Sequence, residues 1–403
     1  MFPRKRLDIG WSDLVAALVY CATARGHAPR VRRVEELFAT VDRGRRGAFA
    51  CLSVRSGLDV CLEALRLAAG SEVLVSALTI PDMLRVIERH GLVPVPVDVD
   101  PATLAPRHDA CERAASPRTR ALLVAHLFGA RFDLDPWLPM ARARGWFVLE
   151  DCAQAFVGRE FTGHPAADVS MFSFGPIKTQ TALAGGVLLV RDAGLLERMR
   201  AVQRSLPVAG NSAFARRVVK YAGLKLLSTP ALFGLLAWVL ARSGRDLDAF
   251  LRASTRGFTG GDLFAELRFQ PSAALCALLA RRLVRCDPER IACRARTGAW
   301  MRELLPQGTL VPGATASEPT YWVFPVVVDP GRVAELVATL RRAGFDATPA
   351  AALAAVPAPD GLHALEPHAA VAMLAGLVYL PVYPELPRRA AHRLAGLLQT
   401  ASA

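Results

Sequence analysis

Two residues of this chain have the types and spacing for one particular chemistry. Asp151 follows an apolar, strand-like run over 146–149, and Ser173 lies at the end of the next such run, 169–174. Lys178 comes five residues after Ser173, in a turn marked by Gly175 and Pro176. A carboxylate and a lysine therefore emerge from neighbouring strand ends. A lysine amine can form a Schiff base with an aldehyde and then shuttle a proton between carbon and cofactor. A carboxylate opposite it keeps a pyridine nitrogen protonated, so that the ring acts as an electron sink. That is the pair pyridoxal phosphate chemistry requires. Singly, an Asp at a strand end is most often a helix cap and a Lys after a turn a solvated charge; the two together, in this order, carry the reading. The chain holds only four lysines (Lys5, Lys178, Lys220 and Lys225) among 49 basic residues. A lysine kept at 178 points to amine chemistry, because a guanidinium neither deprotonates nor forms an imine.

An α/β fold is needed to present such a pair. Strands are predicted at 72–76, 93–97, 121–125, 146–149, 169–174 and 186–190, with helices at 58–69, 81–90, 109–115 and 135–144 between them. Alternation of this kind implies a mostly parallel central sheet with helices on both faces, whose ligands sit at the carboxyl ends of the strands. One or two helices precede it. A polar helix at 192–204 leads into a basic and apolar stretch, 205–260, without strand signals. One long helix is predicted over 271–300, then a strand at 321–328, a helix at 332–343, a Pro/Ala-rich stretch at 346–360 and a last helix at 386–400. The expected division is an N-terminal helical segment (1–45), a large cofactor-binding α/β domain (46–204), a helical insertion (205–265), a joining helix (266–300) and a small C-terminal α/β domain (301–403).

The 403 residues, 52% hydrophobic and 21% charged, exclude a disordered, collagen-like or disulfide-stapled chain. The net charge of +13 is spread along the chain as arginine, and aromatic residues make up only 7%. No basic block with aromatic platforms appears, so nucleic acid is not the expected partner; an anionic small substrate or a membrane surface accounts better for the surplus. Eight cysteines without paired spacing read as free thiols in a reducing compartment, with no metal site. Asp13 interrupts the apolar stretch near the start, which reads as an amphipathic helix and not a signal peptide; the expected location is the cytoplasm. The apolar segment 226–241 has 16 residues, short of a span, and is flanked by Arg216, Arg217, Lys220, Lys225, Arg242 and Arg245. It reads either as a packed helix or as an interfacial one that would bring 216–245 to a membrane face.

Several segments are similar to one family. Val54-Arg55-Ser56-Gly57-Leu58 resembles a Ser-Gly-Thr phosphate turn, and Val97-Asp98-Val99-Asp100-Pro101 and His126-Leu127-Phe128-Gly129 resemble its V-D-V-D-P and H-L-[YF]-G segments. Glu150-Asp151-Cys152-Ala153-Gln154-Ala155 resembles E-D-x-A-Q-A, and 172–178 resembles its F-S-F…K box. Fainter similarity recurs at 267–269 and 380–384. The chain thus resembles the DegT/StrS sugar-nucleotide aminotransferases, fold-type I PLP-transferases. The resemblance implies pyridoxal 5'-phosphate as cofactor, Lys178 as its Schiff-base lysine, Asp151 on the pyridine nitrogen, Gln154 near the phenolic oxygen, and Ser173 with the backbone at Gly57 and Leu58, at a helix N-terminus, at the phosphate. It further implies glutamate as amino donor, a keto-sugar acceptor and a homodimer with active sites between subunits. Three positions depart from the family. Ile80 stands where an aromatic ring stacks on the cofactor, Leu58 where a Thr hydroxyl binds phosphate, and Glu266 where an Asn of the partner subunit reaches it. These departures leave open a catalytically degenerate member acting as a binding or regulatory subunit, and the shared ring chemistry leaves open another reaction such as dehydration. His126 reads as a hydrogen-bonding residue, outside the catalytic set.

Overall fold

The chain enters the sheet through two helices, α1 (Trp11–Thr23) and α2 (His27–Val41), and strand β1 (Gly47–Cys51). This computed structural model describes residues 1–255, 262–349 and 352–402. Ser53 then decides where the next helix starts. Its hydroxyl accepts from Ser56 N at 3.2 Å, while Ser53 N donates to Ser56 Oγ at 2.8 Å. This reciprocal cap satisfies two donors at the helix entry and starts α3 at Val54 (Val54–Leu65). The predicted boundary, 58–69, is four residues late, because apolar periodicity does not register a Ser–Ser box ahead of the first buried leucine.

The remaining strands and helices of the sheet alternate as anticipated: β2 (Glu72–Ser76), α4 (Pro81–Arg89), β3 (Val93–Val97), α5 (His108–Ala114), β4 (Thr119–Ala125), α6 (Leu138–Ala143), β5 (Phe147–Asp151), β6 (Val169–Ser173), β7 (Gly186–Val190) and α7 (Ala193–Arg204). The seven strands lie in the order β1-β7-β6-β5-β4-β2-β3. Pairings among β3, β2, β4, β5 and β6 are parallel, while β7 runs antiparallel to both β6 and β1. Both faces are covered, as the near-continuous Val/Leu runs require. On one face Phe49, Leu58, Val73, Leu123 and Leu188 pack under α3, α4 and α7. On the other, Phe38, Phe172, Phe174 and Leu189 meet α1 and α2. Each such side chain, fully buried, contributes about 1.5–3 kcal/mol.

The stretch after α7 is helical: α8 (Asn211–Leu227), α9 (Pro230–Arg242), α10 (Leu247–Thr255) and a short α11 (Leu263–Leu267). Residues 256–261 of the predicted insertion lie outside the described residues. Pro230 opens α9, where its missing N–H costs nothing, and the chain bends by 97° between α8 and α9. No single helix among the described residues is long and apolar enough to cross a membrane.

The single helix expected over 271–300 is two, α12 (Ala273–Val284) and α13 (Pro288–Leu304). The break is chemical: Asp287 Oδ1 accepts from Glu289 N at 3.1 Å and Pro288 takes the first helical position, a new helix start. Beyond it, β8 (Phe324–Val327), α14 (Val333–Arg342), β9 (Thr348–Pro349), α15 (His368–Ala375), β10 (Leu377–Leu380) and α16 (Arg388–Ser402) enclose a separate cluster around Phe324, Phe345 and Leu394. Their sheet is antiparallel, ordered β9-β10-β8. Residues 350–351 of the Pro/Ala-rich stretch lie outside the described residues.

Candidate active site

Strand ends supply the reactive groups. Asp151 terminates β5 and Ser173 terminates the neighbouring parallel strand β6, two residues beyond Met171, the register partner of Asp151. After Ser173 the chain turns back on itself. Lys178 N donates to Gly175 O at 3.0 Å, and Thr181 Oγ1 closes on the same carbonyl at 2.6 Å. These bonds aim the lysine back across the sheet edge. Asp151 and Lys178 line one cavity of about 420 Å³, together with Ser173 and Ile80, so four of the predicted site residues come together.

The electrostatics make Lys178 unusual. Part of its surface faces the cavity, but it lies deep in the molecule. Burial depresses the amine to about 8, against the pull of the Asp151 carboxylate and with the help of the Arg55 charge. At pH 7 an amine titrating at 8 is roughly one-tenth unprotonated, against a few parts in ten thousand for an ordinary lysine. Such an amine is a nucleophile. Burial pushes the Asp151 carboxyl up, while a hydrogen bond from Ala153 N to its Oδ1 (2.9 Å) and the Lys178 charge act in the opposite direction.

Lys178 Nζ also sits 4.2 Å from the ring centre of Trp322, which the sequence reading did not single out. Trp322 Nε1 donates to Ile177 O at 3.0 Å and so holds the residue just before the lysine. Lys5 Nζ lies 3.6 Å from the same ring and donates to Trp322 O at 3.0 Å. Trp322 is 144 positions from Lys178 and outside every motif, so no local signal marks it.

Gly57 and Leu58 do not reach the cavity. With α3 starting at Val54, they fall in its buried second half-turn, and Leu58 has no exposed surface. Gly57 is a packing residue: a Cβ there would lie 2.5 Å from Leu188 Cδ1 and 2.9 Å from Cys51 Sγ. The cavity wall is instead Ser53, Val54 and Arg55. Gln154 is also turned to another task. Its Oε1 accepts from Phe128 N at 2.8 Å and stabilises a residue with φ of 57°. His126 pairs with Glu150 Oε1 at 2.9 Å within the core, in keeping with its structural reading. Glu266 does line the cavity, from the same chain, and its charge favours that of Arg55. Arg217 of α8 is a further cation on the wall; it sits on a helix that sequence periodicity did not tie to the site.

The residues present fit pyridoxal phosphate. The cavity falls in the size range of small-molecule sites, Lys178 offers an amine kept partly neutral, Asp151 offers a fixed buried carboxyl, and Arg55, Arg217 and Ser173 offer partners for an anion.

A sequence profile of the DegT/DnrJ/EryC1/StrS aminotransferase family matches residues 18–226, just over half of the chain. The chain belongs to that family. Its enzyme class is that of a pyridoxal-phosphate-dependent aminotransferase. Solved structures with the same fold include the aminotransferase TlmJ from Streptoalloteichus hindustanus, 21% identical over 100% of this chain and 99% of that one, with a TM-score of 0.71. Sugar aminotransferase CalS13 from Micromonospora echinospora is 21% identical over 99% of this chain and 100% of its own, with a TM-score of 0.68. An E. coli GDP-4-keto-6-deoxy-D-mannose-3-dehydratase, solved with bound hydrated PLP, is 16% identical over 99% of both chains, with a TM-score of 0.70. At these identities the likeness is one of fold.

Proposed function

We propose that this aminotransferase moves an amino group from glutamate to a keto-sugar carried on a nucleotide or a lipid, using pyridoxal 5'-phosphate held by Lys178 and Asp151. The observation that carries the reading is the meeting of these two side chains in one cavity, with the lysine amine depressed to about 8. Bound there, the cofactor would supply an electron sink for carbon–nitrogen bond chemistry. Lys178 would anchor its aldehyde and carry the proton, Asp151 would hold the ring nitrogen charged, and Ile80 would press on the ring in place of an aromatic side chain. The sugar preference is supported by the family and by the shared fold of a sugar aminotransferase, CalS13.

The test is direct. Borohydride reduction of the protein with its cofactor should leave a pyridoxyl adduct on the peptide containing Lys178. Glutamate should then convert the cofactor to its aminated form in wild type but not in Lys178→Ala. Loss of the adduct from Lys178 sinks the proposal. An adduct without any response to amino donors would favour a binding or regulatory role.

We further propose that the enzyme works in the cytoplasm as a homodimer and touches an anionic bilayer through α1, α8 and α9. Trp11, Val15, Leu18, Val219, Leu226, Leu235 and Trp238 present exposed apolar side chains on these helices, with Lys220, Lys225 and Arg242 among them. Apolar anchors beside basic residues are the composition of interfacial helices. Flotation with phosphatidylserine vesicles should carry the protein upward, and substituting Trp11, Leu235 and Trp238 by Ser should leave it at the bottom. Light scattering of the purified protein measures the oligomeric state.

A further inference from the structure

Arg55 and Arg217 bring two guanidinium groups to one wall of the cavity, and neither belongs to the lysine–carboxylate chemistry. Arg55 occupies the second position of α3, two residues after its cap. Asp82 pairs with Arg55 Nη1, and Arg217 Nη1 donates to Leu183 O at 3.3 Å, so both side chains are braced from behind. The arrangement carries an electrostatic burden. Burial holds Arg55 below the ordinary arginine range, and the Arg217 charge adds to that effect, although Asp82 and Glu266 both favour the charged form. The two guanidinium charges lie close enough to act on each other, and an anion bound between them would be attracted by both.

We propose that Arg55 and Arg217 form a paired guanidinium seat for the phosphate monoester of the cofactor, supplied from within a single chain. The inference rests on the proposed occupancy of this cavity by pyridoxal phosphate. It accounts for the two phosphate contacts that the sequence lacks. Leu58 has no hydroxyl and is buried in the core, and Glu266 is an anion. The neutral Ser53 and Ser173 hydroxyls on the wall can orient a phosphate but cannot balance two negative charges. Guanidinium groups can do both, since each presents a planar fork of donors matched to phosphate oxygens. Glu266, close enough to Arg55 to favour its charge, would offset part of the positive field and keep the seat from holding any anion indiscriminately.

The experiment compares pyridoxal 5'-phosphate with pyridoxal, which lacks the phosphate. Equilibrium titration of the cofactor-free protein, followed by absorbance, gives both affinities for wild type, Arg55→Gln, Arg217→Gln and Arg55→Lys. Losing one charge-assisted contact should weaken the phosphorylated cofactor by about 10- to 100-fold in each Gln variant. Pyridoxal affinity should stay within about twofold in Arg217→Gln, and in Arg55→Gln, where the Lys178 amine also loses a neighbouring charge, should change far less than that of the phosphorylated cofactor; retained pyridoxal binding also shows that the variants fold. Arg55→Lys should fall between wild type and Arg55→Gln, because charge is kept while the fork is lost. Inorganic phosphate should compete with the cofactor in wild type and lose that effect in Arg217→Gln. An unchanged ratio of the two affinities in both Gln variants overturns the proposal alone. So does an unchanged ratio accompanied by weaker glutamate binding, which would assign the arginines to the donor's carboxylate. Wild type that binds neither compound overturns this proposal together with the reading it rests on.

Discussion

The depressed amine of Lys178 allows a quantitative test that needs no substrate. Its midpoint falls from the ordinary 10.5 to about 8 because burial penalises the charged form more than Asp151 favours it. The difference is about 2.5 pH units, or roughly 3 kcal/mol. At pH 7 the reactive, unprotonated fraction is therefore about 300-fold larger than that of an ordinary lysine. With four lysines in the chain, trace labelling by acetic anhydride across pH 6–11, read peptide by peptide in the mass spectrometer, resolves each amine. The exposed Lys220 serves as the internal standard. Labelling of Lys178 in the cofactor-free protein should be half-maximal near pH 8. Asp151→Asn removes the charge that holds the amine up, so its midpoint should move lower still. The sign carries over to stability. The folded midpoint lies below the unfolded one, so the cost of burying the charged amine is fully present below about pH 8. It disappears as pH rises toward 10.5. Wild type should gain up to about 3 kcal/mol over that window relative to Lys178→Met, as measured by urea unfolding. A Lys178 midpoint at or above 10, or a rise in Asp151→Asn, would falsify the electrostatic reasoning.

Other outcomes follow from the same geometry. Trp322→Leu removes the ring from under the Lys178 ammonium and should lower its labelling midpoint by about half a unit to one and a half units, whereas Trp322→Phe should leave it nearly in place. Gly57→Ala should cost about 1–3 kcal/mol in thermal or urea unfolding, since the added Cβ meets Leu188 at 2.5 Å; cofactor affinity should change little if Gly57 only packs. Arg282→Met leaves Asp13 with Arg281 Nε (2.7 Å) as its one remaining guanidinium partner, removes the 2.7 Å bond from Arg282 Nη1 to Asp13 Oδ2, and frees Asp8 O and Gln180 Oε1. A loss of about 1–3 kcal/mol in urea unfolding is expected, since buried acceptors lose a charged donor while Asp13 keeps Arg281.

The sequence by itself pointed to the lysine–carboxylate pair and to the alternation of strands and helices in a mostly parallel sheet. Asp151, Ser173 and Lys178 sit at ends of apolar runs, and a parallel α/β sheet brings such ends to one edge whatever the details of its helices. The starts of helices were also written locally but were read too coarsely. The Ser53–Ser56 box and the Asp287-Pro288 pair each mark a boundary that apolar spacing missed, and the first of these puts Ser53 and Arg55, and not Gly57 and Leu58, on the cavity wall. Only the tertiary structure decided which distant groups complete the site. Trp322 reaches Lys178 from 144 positions away, Lys5 meets that same ring from 317, and Arg217 joins the cavity from a helix whose own pattern is merely basic and apolar. Strand-end placement follows from a period of two residues and short turns. Contacts between separate units follow from how whole surfaces pack, which no local spacing records.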